Sequence, residues 1–300
     1  QLAAGTITAG GTLGILIPPS IMLVVMGPIL NVPVTDLFAA AIMPGLMLAA
    51  LYTGYTLIRC HLNPSLGPVV PEDLIPDSMR EVWIEFFKGL VPPVLLVGSS
   101  LGSILAGLAT PTEGAAMGAV GAIFLTLAYR KLNFKVFQEA LLKTLEITTL
   151  IMILVCASNF FGSVFSRLGT PTMITEALML LDLPPTAILL IVMALIFLLA
   201  WPLEWVPIVL IIIPIVLPLI EQLGFNLTWF GILVAVNLQT AWLSPPVALS
   251  AYFLKGVAPD WDLSDIYKGM MQFMAIQVVG LALIIIFPKI VLWLAEYLYG

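Results

Sequence analysis

The chain has 300 residues, of which 61% are hydrophobic and only 9% charged, with a mean hydropathy of +1.13 and a formal net charge of −6. An ordinary soluble domain carries about 25% charged residues, so this composition excludes one. Apolar runs recur near the roughly 20 residues that cross a hydrocarbon core, which reads as an all-α polytopic membrane protein in a lipid bilayer. Its charges are few and sit mostly in loops, and the acidic loops argue against nucleic acid as a partner.

The sequence opens at Gln1 inside a helical pattern, without an initiator Met or a signal-peptide pattern, and reads as a fragment lacking its N-terminal part. The first element, 2–30, is a helix broken around Gly14 to Ser20 by Pro18-Pro19. Proline lacks the backbone donor and clashes with the preceding turn, so the pair must interrupt the helix. Thr35 is the expected cap of a helix running to about Cys60, with Asp36 in its first turn. Residues 62–79 are rich in proline and acids and read as an aqueous loop. Arg80 to Leu90 (REVWIEFFKGL) suits a short interfacial helix.

Two short helices are then expected at 92–109 and 115–129, joined at Thr110-Pro-Thr-Glu-Gly. Asn133 opens a long helix to about Leu168, amphipathic at first and apolar afterwards. The apolar stretch 186–222 is interrupted at Trp201-Pro-Leu-Glu-Trp, which reads as a re-entrant hairpin with Glu204 at its tip. Residues 226–255 form the second broken helix, interrupted by Pro245-Pro246. Ser264 is the expected cap of a last helix running to the C-terminus.

An internal repeat supports this division. Pro18-Pro19 aligns with Pro245-Pro246, and Thr35-Asp-Leu-Phe aligns with Ser264-Asp-Ile-Tyr. Counting crossings, with the hairpin adding none, turns the second unit over relative to the first and gives an inverted repeat. One side then collects Arg59, Arg80, Lys88, Arg130, Lys131, Lys135, Lys143, Lys255 and Lys268, and the other only Arg167 and Lys289. That bias places the basic loops, around 59–88, 130–143 and 255–268, in the cytoplasm.

Irregular backbone at membrane depth is tolerated where it is buried in protein or lines a watery cavity. The two breaks therefore read either as structural kinks or as an ion and substrate site. Their recurrence in register with the repeat favours the site. Gly10, Gly11, Thr12, Gly14 and Ser20 surround the first, and Asn237, Gln239, Thr240 and Ser244 the second. Freed carbonyls and hydroxyls suit a hard cation such as sodium. Glu113 is either a functional carboxylate or the N3 residue of a capping box, with Thr110 at N-cap and Pro111 at N1. Glu204 lies deep in an apolar stretch, where an unpaired charge is expensive. Cys60, Cys156 and His61 show no ligand spacing, and no nucleophile constellation is visible, so an enzyme is excluded and no cofactor is expected.

At GTLGILIPPS (11–20), TPTEGAAMGAVGA (110–122) and NLQTAWLSPPVALSAYFLKGVAP (237–259) the sequence resembles the large membrane subunit of tripartite ATP-independent periplasmic (TRAP) transporters. Within that family it looks most similar to the mannitol or chloroaromatic branch. The resemblance implies a sodium-driven, elevator-type importer of an organic acid in the bacterial inner membrane. Its partners would be a small membrane subunit and a periplasmic substrate-binding protein. On that pattern, 1–61 and 186–300 form the two repeats of a mobile transport domain. Residues 62–91 are a cytoplasmic loop with an interfacial helix, and 92–185 are scaffold helices and an arm.

The family motifs map one sodium between the hairpin tip (Ala200 to Glu204) and Thr240, Ser244 and Pro245. They map a second beside Gly11, Gly14, Pro18 and Ser20, completed by a first hairpin that family members carry upstream. The substrate would lie near Pro19, Ser20, Asn237 and Pro246. Two departures stand out: the tip reads Leu-Leu-Ala-Trp-Pro-Leu-Glu, so Glu204 only approximates the family's aspartate, and the usual Thr-Pro-Pro is Ser-Pro-Pro. Two other readings stay open: a binding-protein-independent anion or dicarboxylate transporter of the same superfamily, and an uncoupled channel-like or structural membrane subunit.

Overall fold

A computed structural model describes residues 1–68, 78–245 and 248–299, and everything described is helix, turn or connecting loop. Among these residues six helices are long and apolar enough to cross a membrane, or seven when one bent pair counts as a span. The protein is an all-α polytopic membrane protein. It divides into two compact units, one of residues 1–57 and 150–300, the other of residues 58–149.

In the first unit, α1 (Leu2–Leu16) and α2 (Ile21–Leu30) form the bent pair, turned by 43°. Helix α3 (Val34–Leu62) follows. It starts one residue before Thr35, because the Pro33 carbonyl accepts the Asp36 and Leu37 N–H groups. The hydroxyl of Thr35 bonds the Asp36 carboxylate and is not the expected cap. After α7 (Thr170–Met179) comes α8 (Pro185–Ala200), a turn over 201–204, and a second arm, Trp205–Gln222. That arm comprises α9 (Trp205–Pro207), a π-helical turn at Ile208–Ile212, and α10 (Ile213–Gln222). Helix α11 (Leu227–Leu243) is capped by Asn226, and α12 is Leu249–Val257. The expected break between them is present.

The last stretch departs from expectation. Asp262, not Ser264, caps α13 (Leu263–Ile286), its carboxylate accepting the Ser264 N–H at 2.9 Å. The chain does not continue as one helix to its end. It leaves α13 at Phe287 (φ −121°, ψ 74°) and restarts as α14 (Lys289–Tyr299), because the residue before Pro288 is pushed out of the helical region. Thr35 and Ser264 still hold equivalent places, each the second residue of its helix.

Helix α11 is the axis of this unit, packed by α1, α2, α8, α12, α13 and α14. A hydrocarbon solvent gives helices little hydrophobic drive to associate, so small residues that admit close approach set the contacts. Where α1 meets α13, a Cβ on Gly5 would stand 2.6 Å from the Gly269 carbonyl oxygen. Tyr52 and Tyr55 of α3 pack edge-on against Phe273 of α13, and the Tyr55 hydroxyl reaches Gln272 at 2.7 Å.

The second unit holds α4 (Met79–Leu105) and α5 (Pro111–Ala128), followed by the start of α6 (Phe134–Arg167). The expected interfacial helix does not stop at Leu90, since α4 runs through Pro92-Pro93 without a break. Pro92 offers no N–H to the Lys88 carbonyl, and the Tyr129 hydroxyl donates to that carbonyl instead, at 2.6 Å. Glu113 completes the expected capping box: its carboxylate accepts the Thr110 N–H at 2.8 Å and the Thr110 hydroxyl accepts the Glu113 N–H at 3.3 Å. The expected loop over 62–79 lies partly outside the described residues. A short 3-10 turn occupies Pro64–Leu66.

Replacing Tyr129 by Phe removes the substitute donor and leaves the Lys88 carbonyl exposed to lipid or packing. We expect a loss of about 1 kcal/mol of stability, read by thermal unfolding in detergent. An unchanged melting temperature would mean that α4 tolerates Pro92 without this bond.

Candidate functional site

The two broken helices solve one backbone problem in the same way. In the first, Pro18 and Pro19 withhold N–H groups from the Gly14 and Ile15 carbonyls, four residues earlier. The Ser20 hydroxyl donates to the Ile15 carbonyl and also accepts the Leu23 N–H, at 3.4 Å. One side chain thus closes the end of α1 and caps the start of α2. In the second, Pro245 and Pro246 withhold N–H groups from the Ala241 and Trp242 carbonyls. The Ser250 hydroxyl donates to the Trp242 carbonyl. In both breaks a serine takes the carbonyl freed by the second proline. The carbonyls freed by the first prolines, Gly14 and Ala241, have no backbone N–H at that position.

Hydroxyls upstream of the second break are turned back onto their own helix. Thr240 donates to the Asn237 carbonyl at 2.6 Å, and Ser244 to the Thr240 carbonyl at 2.7 Å. Their protons are spent, so each oxygen offers lone pairs only, the arrangement a cation needs. Both residues are buried, as are Thr8, Thr12 and Ser20.

A buried amide chain joins the two broken helices. The Gln277 amide donates to the Val236 carbonyl at 2.8 Å and to the Gln239 side-chain oxygen at 2.9 Å. The Gln239 amide in turn donates to the Thr12 carbonyl at 3.1 Å. Beside the breaks is a cavity of about 310 Å³, lined by Thr8, Gly11 and Thr12 of α1 and by Trp242, Ser250 and Phe253 among others. Trp242 and Phe253 stack with ring centroids 6.4 Å apart.

Of the residues singled out in the sequence, Gly11 lines this cavity, and the Gln239–Thr12 bond joins α11, which carries Thr240, to α1, which carries Gly14. Pro18 is buried, whereas Pro19, Gly11 and Gly14 are exposed. Pro246 lies outside the described residues. Asn237 is turned toward α8, where its amide donates to the Met193 carbonyl at 2.8 Å. Its side-chain oxygen, Oδ1, is buried without a partner among the described residues. Glu204 sits exposed at the tip between α8 and α9, and no hydrogen bond or ion pair joins its carboxylate to Thr240 or Ser244. The sequence placed that carboxylate at a tip between two apolar arms, and the turn there leaves it exposed.

Sequence reasoning missed Ser250, Trp242 and Gln277. Ser250 was findable, because a hydroxyl just past a Pro-Pro pair recurs in both halves. Gln277 carried only a weak signal, a lone amide in an apolar helix. Among the described residues no three His, Cys, Asp or Glu side chains cluster as metal ligands.

Comparison with known proteins gives a family match over nearly the whole chain. The family described as "Tripartite ATP-independent periplasmic transporter, DctM component" matches residues 1–290. A C4-dicarboxylate TRAP transporter large permease protein of Rhodobacter capsulatus is 30% identical over 315 residues, covering 99% of this chain and 69% of that protein. A sialic acid TRAP transporter large permease protein of Vibrio cholerae is 28% identical, covering 100% and 69%. A putative TRAP transporter large permease protein of Haemophilus influenzae is 29% identical, covering 97% and 67%.

Ser20→Ala and Ser250→Ala each leave one carbonyl without its substitute donor. Each is expected to destabilise the protein by about 1–3 kcal/mol, visible as a lower melting temperature in detergent. If neither moves it, the serines do not close the breaks.

Proposed function

The chain belongs to the DctM-component family of tripartite ATP-independent periplasmic transporters, as a large membrane subunit, and we propose that it imports an organic acid by coupling to an inward sodium gradient. Its partners in this reading are a small membrane subunit and a periplasmic substrate-binding protein. The setting is the bacterial inner membrane, with the basic loops around 59–88, 130–143 and 255–268 on the cytoplasmic side. The names of two relatives, for sialic acid and for C4-dicarboxylates, support the organic-acid class.

The observation that carries the sodium reading is the pair of matched breaks, each with a carbonyl freed by its first proline and hydroxyl oxygens beside it. The C-terminal ends of α1 and α11 present carbonyl oxygens and the negative ends of their helix dipoles, which favour a cation. One sodium is assigned to Gly11, Gly14, Pro18 and Ser20. The other is assigned to Thr240, Ser244 and Pro245, with Glu204 approaching only if the hairpin tip moves. The half-helices that follow, α2 and α12, begin with the positive ends of their dipoles, which favour a carboxylate near Pro19, Ser20 and Pro246. Asn237, already bonded to α8, is left out of substrate contact in this assignment.

Neutral ligands also fit the direction of work. A carboxylate cage would carry charge across the bilayer on the return of the empty carrier, whereas carbonyls and hydroxyls carry none. The reading includes an inverted repeat and an elevator-type displacement, with residues 1–61 and 186–300 as the moving part and a scaffold drawn from 92–185.

The test is uptake in proteoliposomes containing the full-length subunit, its small partner and its binding protein. Labelled organic acids would be presented with and without an inward sodium gradient. Uptake that needs both sodium and the binding protein supports the proposal. Uptake without the binding protein, or flux that ignores sodium and does not saturate, refutes it. Within the same assay, Thr240→Val with Ser244→Ala should raise the half-saturating sodium concentration about tenfold, equivalent to about 1.4 kcal/mol, at undiminished expression. Equal loss of expression and sodium response would assign those hydroxyls to folding.

A further inference from the structure

The hydrogen bonds of Gln239 and Gln277 exceed what packing requires. Both side chains are buried in apolar surroundings, Gln277 at 0% and Gln239 at 1% exposure, where a leucine of similar volume would pack without any polar group to satisfy. Their bonds join three separate helices. Gln277 belongs to α13, Gln239 to α11, and the acceptor Thr12 to α1, just ahead of the first break. The second bond of Gln277, to the Val236 carbonyl, fixes its amide plane against α11 so that the remaining proton must point at Gln239. Gln239 itself lies five residues before Ser244, where the second break begins.

We propose that Gln277 and Gln239 form a tie that holds the two broken helices at one fixed relative position, making them positioning residues for both breaks. The geometry is directional. Gln277 orients Gln239 by donating to its oxygen, which leaves the Gln239 amide free to donate to the Thr12 carbonyl. A single apolar contact would allow α1 to slide along α11. A planar amide bonded at both ends does not, because hydrogen bonding weakens steeply with misalignment. The tie meets α1 at Thr12, two residues from the Gly14 carbonyl, and α11 two residues from the Ala241 carbonyl. The two freed carbonyls thus become parts of one rigid assembly rather than of two independent kinks. This inference concerns the geometry of the breaks and stands whichever solute crosses.

The experiment uses the full-length protein in a Cys60→Ser, Cys156→Ser background, with spin labels at Ile21→Cys on α2 and Val257→Cys on α12. Both positions are exposed and each lies beyond one break. Distances between the labels are read by pulsed electron resonance. The parent should give a single narrow distribution. Gln239→Leu with Gln277→Leu removes both partners of the central bond, a change that spares stability because no amide is left unpaired. It should nevertheless broaden or split the distribution at an unchanged melting temperature. Gln239→Met, which leaves the Gln277 bond to Val236 in place but cuts the reach to Thr12, should also broaden or split the distribution, here with a lowered melting temperature because one Gln277 N–H loses its acceptor. It decides the matter if the double variant does not fold. A parental distribution in the variants, or a broad one in the parent, overturns the tie. Uptake is not part of this measurement, so its outcome is independent of the sodium assignment.

Discussion

A proline inside a helix leaves a carbonyl without its donor, and in hydrocarbon there is no water to replace it. Much of this structure follows from how those carbonyls are answered. The chain contains 23 prolines, and three of the freed carbonyls meet a side-chain hydroxyl: Ile15 meets Ser20, Trp242 meets Ser250, and Lys88 meets Tyr129. The outcomes nevertheless differ. At Pro92-Pro93 the helix continues, and the donor arrives from the far end of α5. At Pro18-Pro19 the helix stops, and the donor is the cap of the next half-helix. A continuous helix needs only repair of one bond. A break also exposes the ends of two half-helices, and there the dipole ends and the carbonyls freed by proline come together.

That distinction explains why a Pro-Pro pair alone was an incomplete signal. Of the four Pro-Pro pairs, Pro184-Pro185 stands at the start of α8, where no donor is lost. Those at 18–19, 92–93 and 245–246 each remove donors, yet the sequence identified the two true breaks because small and hydroxylated residues surrounded them and the breaks recurred in register with the repeat. Leu-Val before Pro92 and Val-Leu-Leu after Pro93 gave no such support, and the expected boundary at Leu90 was drawn from amphipathicity instead. The capping box at Thr110 was legible because all its contacts are local, within three residues. The caps expected at Thr35 and Ser264 failed because a better acceptor stood upstream of each: the Pro33 carbonyl and the Asp262 carboxylate. The restart at Lys289 was hidden in an apolar run whose only marker was Pro288.

The amide chain marks where sequence reading ends. Gln239 and Thr12 are 227 residues apart, and Gln277 and Gln239 are 38 apart. Periodicity places each on its helix but says nothing of which face of α11 receives α1. Glu204 was legible as the tip of the interrupted stretch, and it is found exposed in the four-residue turn between the two arms.

The distribution of polarity follows from the same constraint. Buried polar side chains near the breaks are amides and hydroxyls, namely Thr8, Thr12, Ser20, Asn237, Gln239, Thr240, Ser244 and Gln277. Each can pair with a backbone carbonyl at modest cost, whereas a carboxylate would need a compensating cation at all times. Ligands of this kind bind a sodium ion only while several oxygens stay in place together, so affinity depends on how rigidly the oxygens are held. The bonds of Gln239 and Gln277 join α1, α11 and α13 through neutral groups, and so link these helices without adding a charge that the membrane would oppose.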